Sequence, residues 1–112
     1  MKYFLTEAQR KQGHGSCFFE FQRGEYKGKC WLEDSLCLQG DKFDEMQLGE
    51  LWQRAIPHFE YYGITLVKPK DWERLRHFSQ EAGGIKEEVI LELSPWVETC
   101  FKEEKVFTIC GL

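Results

Sequence analysis

The chain has 112 residues, of which 42% are hydrophobic and 15% aromatic, and a formal net charge of −4. This length and composition predict one domain with a single hydrophobic core, and the lack of a long apolar run in the sequence excludes a transmembrane helix. The N-terminus, MKYFLTEAQRK, becomes charged after a short apolar patch, which is not typical of a signal peptide, so we expect a cytoplasmic protein.

A short helix and a half-buried strand are predicted at the start of the chain. Thr6 followed by Gln9 resembles a capping box, which predicts a helix that begins after Thr6. From Cys17 to Arg23 apolar and polar residues alternate, with Glu20 and Gln22 between the aromatic positions. Since successive side chains of a strand point to opposite faces, this pattern predicts one buried face and one polar face.

The following segment predicts a β-hairpin. Gly24 to Gly28 has the composition of a turn, and Lys29 to Glu33 is expected to be the returning strand. Leu36-Cys37-Leu38 either extends that strand or forms a third short one, which Gly40-Asp41 ends.

A long amphipathic helix is predicted from Asp44 to Tyr62. Its N-terminus fits a capping box between Asp44 and Gln47, with Phe43 as the hydrophobic staple. Pro57 lies inside this helix and predicts a kink, because proline removes one backbone hydrogen bond. The positions that recur at helical spacing, and that we expect to be buried, are Leu48, Leu51, Trp52, Ala55, Phe59 and Tyr62.

The C-terminal half predicts a strand, two helices and a final strand. Ile64 to Val67 is a short β-type run, and the second helix runs from about Asp71, as its cap, to Ala82. Apolar residues recur every four positions from Ile85 to Glu104, which favours a third helix kinked at its proline. The alternative is a strand from Val89 to Leu93 followed by a shorter helix. Val106 to Cys110 predicts the terminal strand.

Together these elements predict an α+β fold in one domain, residues 1–112. In this fold a small antiparallel sheet of four to five strands packs against about three helices on one side. The sheet residues that we expect in the core are Phe19, Phe21, Leu32, Leu66, Phe107 and Ile109.

The cysteines and histidines lack the spacing of a metal or catalytic motif. Five cysteines without paired spacing predict reduced thiols rather than disulfides. No CxxC is present, and His14, His58 and His77 never occur at the i, i+4 spacing of two metal ligands on one helix, so neither a metal nor a cofactor is predicted. No nucleophile motif is recognisable, so we predict a protein that is not an enzyme. Four thiols have aromatic or aliphatic neighbours and are expected to be buried: Cys17, Cys30, Cys100 and Cys110.

An acidic segment is the strongest candidate for a binding surface. Six acidic residues stand there against Lys42 alone: Glu33, Asp34, Asp41, Asp44, Glu45 and Glu50. This balance disfavours nucleic acid and suits a basic protein partner. Since the segment joins the hairpin to the first long helix, we expect its charges to lie close together. Tyr61 completes the candidate partner-binding set, because Tyr62 falls on the apolar stripe and Tyr61 therefore points outward. The alternative acidic surface is on the last helix, with Glu87, Glu88, Glu103 and Glu104.

The runs FEYYGITLVKPKDWERLR, SPWVETCF and VFTICGL resemble small bacterial immunity proteins. These are the cytoplasmic antidotes of polymorphic toxins, including those of contact-dependent growth inhibition. The resemblance covers roughly Phe43 to Leu112, and its motifs are structural, so no functional residue transfers with it. It implies a non-catalytic domain without a cofactor that binds a cognate toxin, often a basic nuclease, and blocks its active-site surface. The alternative is a small regulatory or adaptor protein that self-associates through its sheet edge as a homodimer.

Overall fold

One antiparallel sheet and five helices make up the described part of the chain, which is residues 1–13 and 17–112 of the computed structural model. The strands are β1 (Leu5–Thr6), β2 (Phe18–Arg23), β3 (Leu36–Gln39), β4 (Ile64–Val67) and β5 (Phe107–Cys110). The helices are α1 (Glu7–Gln12), α2 (Gly40–Glu45), α3 (Leu48–Ala55), α4 (Pro69–Ala82) and α5 (Gly84–Glu103). The strand order is β1–β3–β2–β5–β4, and every neighbouring pair is antiparallel. The predicted α+β fold is confirmed.

The core lies between one face of this sheet and helices α2 to α5. Phe21 in β2 faces Leu36 of β3 on one side and Ile109 of β5 on the other, so the three side chains share a face. Trp52 of α3 is completely buried there, with its ring centroid 6.5 Å from that of Phe21. Phe59 is buried as well. The predicted burial of both Trp52 and Phe59 is confirmed.

The predicted helix from Asp44 to Tyr62 is wrong at both ends. The chain forms α2 and α3 instead, separated at Gln47, whose φ of 56° is left-handed. A residue in this conformation cannot continue a right-handed helix. The predicted capping box is therefore absent, and Asp44 lies inside α2. Phe43 still reaches the core, because the two short helices direct their apolar faces at the same sheet.

Helix α3 ends at Ala55 because of the proline two residues later. A proline disfavours helical geometry in the residue before it, and Ile56 has φ −127° and ψ 86°. Pro57 therefore ends the helix rather than kinking it. Tyr62, which helical spacing placed in the core, is 81% exposed.

The predicted strand from Lys29 to Glu33 is also wrong, since β3 is the antiparallel partner of β2. The segment crosses the face of the sheet that is opposite to the core. The side-chain amide of Gln22 donates to the Lys29 carbonyl at 2.8 Å, and the Leu32 amide donates to the Glu20 carboxylate at 2.9 Å. Glu20 and Gln22 are consequently buried, although strand alternation predicted that they face solvent.

The two long helices follow their sequence signals closely. Helix α4 begins at Pro69, slightly earlier than predicted, and the Asp71 carboxylate closes its first turn by accepting from the Lys68 amide at 2.9 Å. Helix α5 is continuous through Pro95, so the predicted third helix is confirmed over the alternative strand. None of the helices in the described residues has the length and apolar character needed to cross a membrane.

Strand β4 is an edge of the sheet, bonded to β5 alone. Its alternate residues Thr65 and Val67 are buried, whereas Ile64 and Leu66 are 42% and 37% exposed. The prediction that Leu66 belongs to the core is therefore wrong, because it lies on the face opposite to Val67. Leu32, which we also expected in the core, is only half-buried.

The cysteines divide into buried and exposed sets. Cys37, Cys100 and Cys110 are buried thiols, whereas Cys17 and Cys30 are exposed. The predicted burial is thus confirmed for Cys100 and Cys110 and wrong for Cys17 and Cys30. An aromatic neighbour in sequence does not bury a thiol when the segment that carries it lies at the surface.

Candidate functional site

The six residues of the predicted acidic surface lie in different places. Glu33 and Asp34 precede β3 and Asp41 follows it, so the strand, about 13 Å long for four residues, separates them. Asp34 lies beside β2 and α5. Its carboxylate is 3.6 Å from Nε of Arg23, and its backbone carbonyl accepts a hydrogen bond from Nε1 of Trp96 at 2.9 Å. The expectation that all six charges lie close together is therefore wrong.

Glu50 is also separate from the others. It lies on α3 and lines a shallow groove that reaches residues of α4 and α5. Arg54 and Lys86 add positive charge to this groove and Glu81 adds negative charge. Because the groove carries both signs, it does not extend an acidic surface.

Three of the predicted acidic residues do come together, on α2. Asp41, Asp44 and Glu45 are exposed at positions i, i+3 and i+4, so they share one side of the helix. The hydroxyl of Tyr61 donates to both carboxylate oxygens of Asp44, at 2.9 and 3.0 Å. A carboxylate near a helix C-terminus is disfavoured by the helix dipole, and the Tyr61 hydroxyl offsets this by supplying a donor.

The C-terminus of the chain holds Tyr61 in this position. The Leu112 amide donates to the Tyr61 carbonyl at 2.9 Å, and the Gly111 amide donates to the Gly63 carbonyl at 2.7 Å. A Cβ at Gly111 would lie only 2.3 Å from the Tyr61 carbonyl oxygen, so this approach requires glycine. The half-buried Tyr61 ring packs edge-on against Phe19, with 5.3 Å between centroids.

Tyr62 projects from the same surface. Its ring centroid is 4.7 Å from that of Tyr61, and 81% of the residue is exposed. The sequence prediction had assigned Tyr62 to the core. The signal that would have corrected it is Pro57, which ends α3 before the helical spacing can reach this residue. We call Asp41, Asp44, Glu45, Tyr61 and Tyr62 the acidic–aromatic patch.

The electrostatics of this patch favour a positively charged ligand. Burial, followed by the hydrogen bond to Asp44, raises the pKa of Tyr61 to about 12, so the phenol keeps its proton at neutral pH. Between the described residues, no ion pair involves Asp41, Asp44 or Glu45. The patch therefore presents three carboxylates, one of them fixed by a tyrosine, that form no ion pair with another described residue.

A second constellation lies on the face of the sheet opposite to the core. Ligand atoms of Glu20, Cys30 and Cys110 all lie within 4.8 Å of one another. Sequence spacing could not reveal this group, because the register of β2 against β5 and the crossing of residues 29–35 bring distant positions together. Of the histidines, His58 lies 3.8 Å from Asp71 and His77 lies 3.5 Å from Glu81, and His14 lies outside the described residues.

Comparison of the chain with protein-family models, with curated proteins and with solved structures finds no match.

Proposed function

We propose that the protein is a non-catalytic inhibitor that binds a basic protein toxin through the acidic–aromatic patch. This is the role that the resemblance to bacterial immunity proteins implies. The observation that carries the proposal is the Tyr61–Asp44 hydrogen bond, which fixes an exposed carboxylate beside the highly exposed ring of Tyr62.

The chemistry of the patch suits this role. Carboxylates can occupy the positions that substrate phosphates take on a basic nuclease surface, and complementary charge accelerates association of two proteins. Tyrosine is enriched among the residues that dominate binding energies, because it combines a large apolar area with a hydroxyl. A patch with three carboxylates around two tyrosines supplies both contributions.

The proposal includes the absence of enzymatic activity. The sequence contains no metal or nucleophile motif, and the patch has no histidine or cysteine. If the protein acts by binding alone, replacement of His14, His58 and His77 together leaves its protective activity intact. Loss of protection in a folded triple variant would revive an enzymatic role.

Co-expression in bacteria tests the proposal. The probe is the product of the neighbouring gene, which we expect to contain the toxin domain and to stop growth when it is expressed alone from an inducible promoter; it is expressed with and without the protein. We expect the protein to restore growth and to co-purify with the toxin domain. Toxicity that is unchanged by the protein would overturn the proposal.

A second function, self-association as an adaptor, is favoured by one observation. Strand β4 is an edge of the sheet, and its outward face carries the exposed apolar side chains of Ile64 and Leu66, with Tyr62 just before them. Exposed apolar edge strands are sites of strand pairing between chains. Sedimentation analysis of the wild type and of Leu66→Lys distinguishes the two functions, because only the adaptor function predicts a dimer that this substitution dissociates.

A further inference from the structure

We propose that Glu20, Cys30 and Cys110 form a zinc site on the sheet face opposite to the core. Glu20 of β2 and Cys110 of β5 are directly opposite in the strand register. Cys30 lies above them, in the segment that crosses this face. The carboxylate oxygen and the two sulfurs are all within 4.8 Å of one another. This site is independent of the acidic–aromatic patch and of the proposed function.

The burial of the Glu20 carboxyl group is the first argument for a cation. Glu20 is only 1% exposed, and its carboxylate accepts hydrogen bonds from Gln22 Nε2 at 3.0 Å, from the Leu32 amide at 2.9 Å and from Ser35 Oγ at 2.7 Å. All three donors are neutral. Within the described part of the chain Glu20 takes part in no ion pair. An ionised carboxylate that is buried without a countercharge is costly, and a bound cation removes that cost.

Arg10, a cationic side chain that interacts electrostatically with Glu20, is already engaged elsewhere. The guanidinium of Arg10 bonds the carboxylate of Glu7 through Nε and Nη2, at 2.7 to 3.1 Å. It also lies over the ring of Trp31, at 3.8 Å from the centroid. Arg10 is therefore the partner of Glu7, and in the described part of the chain it forms no ion pair with Glu20.

The position of Cys30 is the second argument. Although its side chain is exposed, the backbone on both sides of it is tied to β2. The Lys29 carbonyl accepts from Gln22, and the Leu32 amide donates to Glu20. Between them Trp31 adopts a φ of 63°, an unfavourable conformation for a large L-residue. Strained backbone of this kind is concentrated at ligand sites, where surrounding contacts maintain it.

The donor set selects the metal. Thiolates exclude Mg²⁺ and Ca²⁺, which require oxygen ligands, and two thiolates with a carboxylate suit Zn²⁺. Zinc–sulfur bonds of about 2.3 Å and zinc–oxygen bonds of about 2.0–2.2 Å place tetrahedral ligands roughly 3.3–3.8 Å apart. The three groups need only a small closure to reach this spacing, and water takes the fourth position on the exposed side of Cys30.

Metal binding at this site releases protons. Each S–H bond breaks as a Zn–S bond forms, and both protons pass to solvent. The site binds the thiolate forms of both cysteines, so zinc binding is coupled to their deprotonation. By contrast, Cys100 donates to the Val106 carbonyl at 3.6 Å and is a structural thiol.

Metal titration of the reduced, chelator-treated full-length protein tests the site. Zn²⁺ is added in competition with a chromophoric chelator, proton release is followed with an indicator dye, and Co²⁺ reports thiolate ligation through its charge-transfer absorption. We expect one Zn²⁺ per chain with a Kd below about 1 µM and release of about two protons. Failure of the wild type to bind one equivalent, or cobalt binding without thiolate absorption, overturns the proposal.

Two exposed cysteines provide a matched pair of variants. Cys30→Ser should weaken Zn²⁺ binding by more than about 100-fold, since loss even of an outer-shell partner costs ~10–100-fold, and it should release one proton fewer. Cys17→Ser should match the wild type. Glu20→Gln, which preserves the shape of the side chain, should also weaken binding. Equal affinities of the Cys30→Ser and Cys17→Ser proteins, whether high or low, would contradict the assignment.

Discussion

The hydroxyl of Tyr61 donates to both carboxylate oxygens of Asp44, at 2.9 and 3.0 Å, and so joins the turn before β4 to helix α2. Tyr61 is seventeen positions after Asp44 in the sequence. The Leu112 amide fixes the backbone of Tyr61 from the other side. The acidic–aromatic patch is therefore formed by two separate parts of the chain, and the C-terminus supports it as a third.

The hydrogen bond between Tyr61 and Asp44 should make the stability of the protein depend on pH in the alkaline range. The pKa of Tyr61 is raised to about 12, first by burial and then by Asp44. Because the folded-state pKa lies above the unfolded one, the contribution of Tyr61 to stability is complete below pH 10 and is lost as the pH rises towards 12. Asp44→Asn should lower the pKa of this phenol, as followed by ultraviolet absorbance of phenolate. Tyr61→Phe identifies its transition, and an unchanged transition in Asp44→Asn would contradict the pairing.

Glu92 should make stability sensitive to acid. Its carboxylate accepts from the amides of Lys2, Tyr3 and Phe4 at 2.6, 2.8 and 2.8 Å. Burial opposes ionisation, but these amides lower the pKa of Glu92 below its ordinary 4.5. A lowered folded-state pKa means that this contribution is present above the ordinary value and is lost as the pH falls through the folded-state value.

Replacement of Glu92 by Gln tests this contribution. Since hydrogen bonds to charged groups are worth about 1.5–3 kcal/mol and Glu92 is partly exposed, Glu92→Gln should cost about 1–2 kcal/mol at pH 7. The difference from the wild type should shrink below about pH 4. Urea unfolding from about pH 3 to about pH 7 measures this difference in the free energy of unfolding across the range in which a carboxyl group titrates. Glu88→Gln is the control, because the Glu88 carboxylate is exposed and its ion pair with Lys2 is long, at 3.9 Å. Equal losses in both variants would refute the role of Glu92.

Trp52 should be a principal stabilising residue of the core. It is fully buried between α3 and the sheet, near Phe43 and Phe21. Trp52→Ala should reduce the free energy of unfolding by about 3–5 kcal/mol, because it leaves a large cavity. Tyr62→Ala should change it by less than about 0.5 kcal/mol, since that ring is exposed. Similar losses for the two variants in urea unfolding would mean that the aromatic core is misassigned.

Two glycines should respond to alanine with opposite signs. Gly111→Ala places Cβ 2.3 Å from the Tyr61 carbonyl oxygen, which forces the C-terminus away and should cost about 1–3 kcal/mol. Gly49 is inside α3, and its new Cβ would meet Phe43 at an ordinary 3.7 Å. Gly49→Ala should therefore stabilise by up to about 1 kcal/mol. Thermal unfolding compares each variant with the wild type. Destabilisation by Gly49→Ala would be inconsistent with this packing.

The parts of the fold that local signals determine could be predicted from the sequence. Three elements are specified by short-range signals without contributions from distant residues. These signals are the apolar run of β4, the proline and aspartate at the start of α4, and the four-residue period of α5. The burial of Trp52 follows in the same way from helical spacing. These predictions required only the short-range preferences of the chain.

The remaining features depend on tertiary contacts that sequence patterns do not show. The break at Gln47 interrupts a helical pattern whose apolar residues are buried on both sides of it. Glu20 and Gln22 alternate as a polar strand face should, yet they are buried by residues 29–35. For the candidate site, the sequence indicated Asp41, Asp44, Glu45 and Tyr61. It did not indicate the hydrogen bond between Tyr61 and Asp44 or the bond from the Leu112 amide to the Tyr61 carbonyl.

The most direct test of the central claim is the association rate of the protein with the purified toxin domain that the proposed function assigns to it as a partner. Asp41, Asp44 and Glu45 are reversed to Lys together, and the matched control reverses the exposed Glu88, Glu103 and Glu104, so both variants have the same net charge. At low salt the patch variant should associate at least about tenfold more slowly than the control. This difference should shrink near 1 M salt, where the screening length is about 3 Å. Equal association rates for the two variants at low salt would contradict the account.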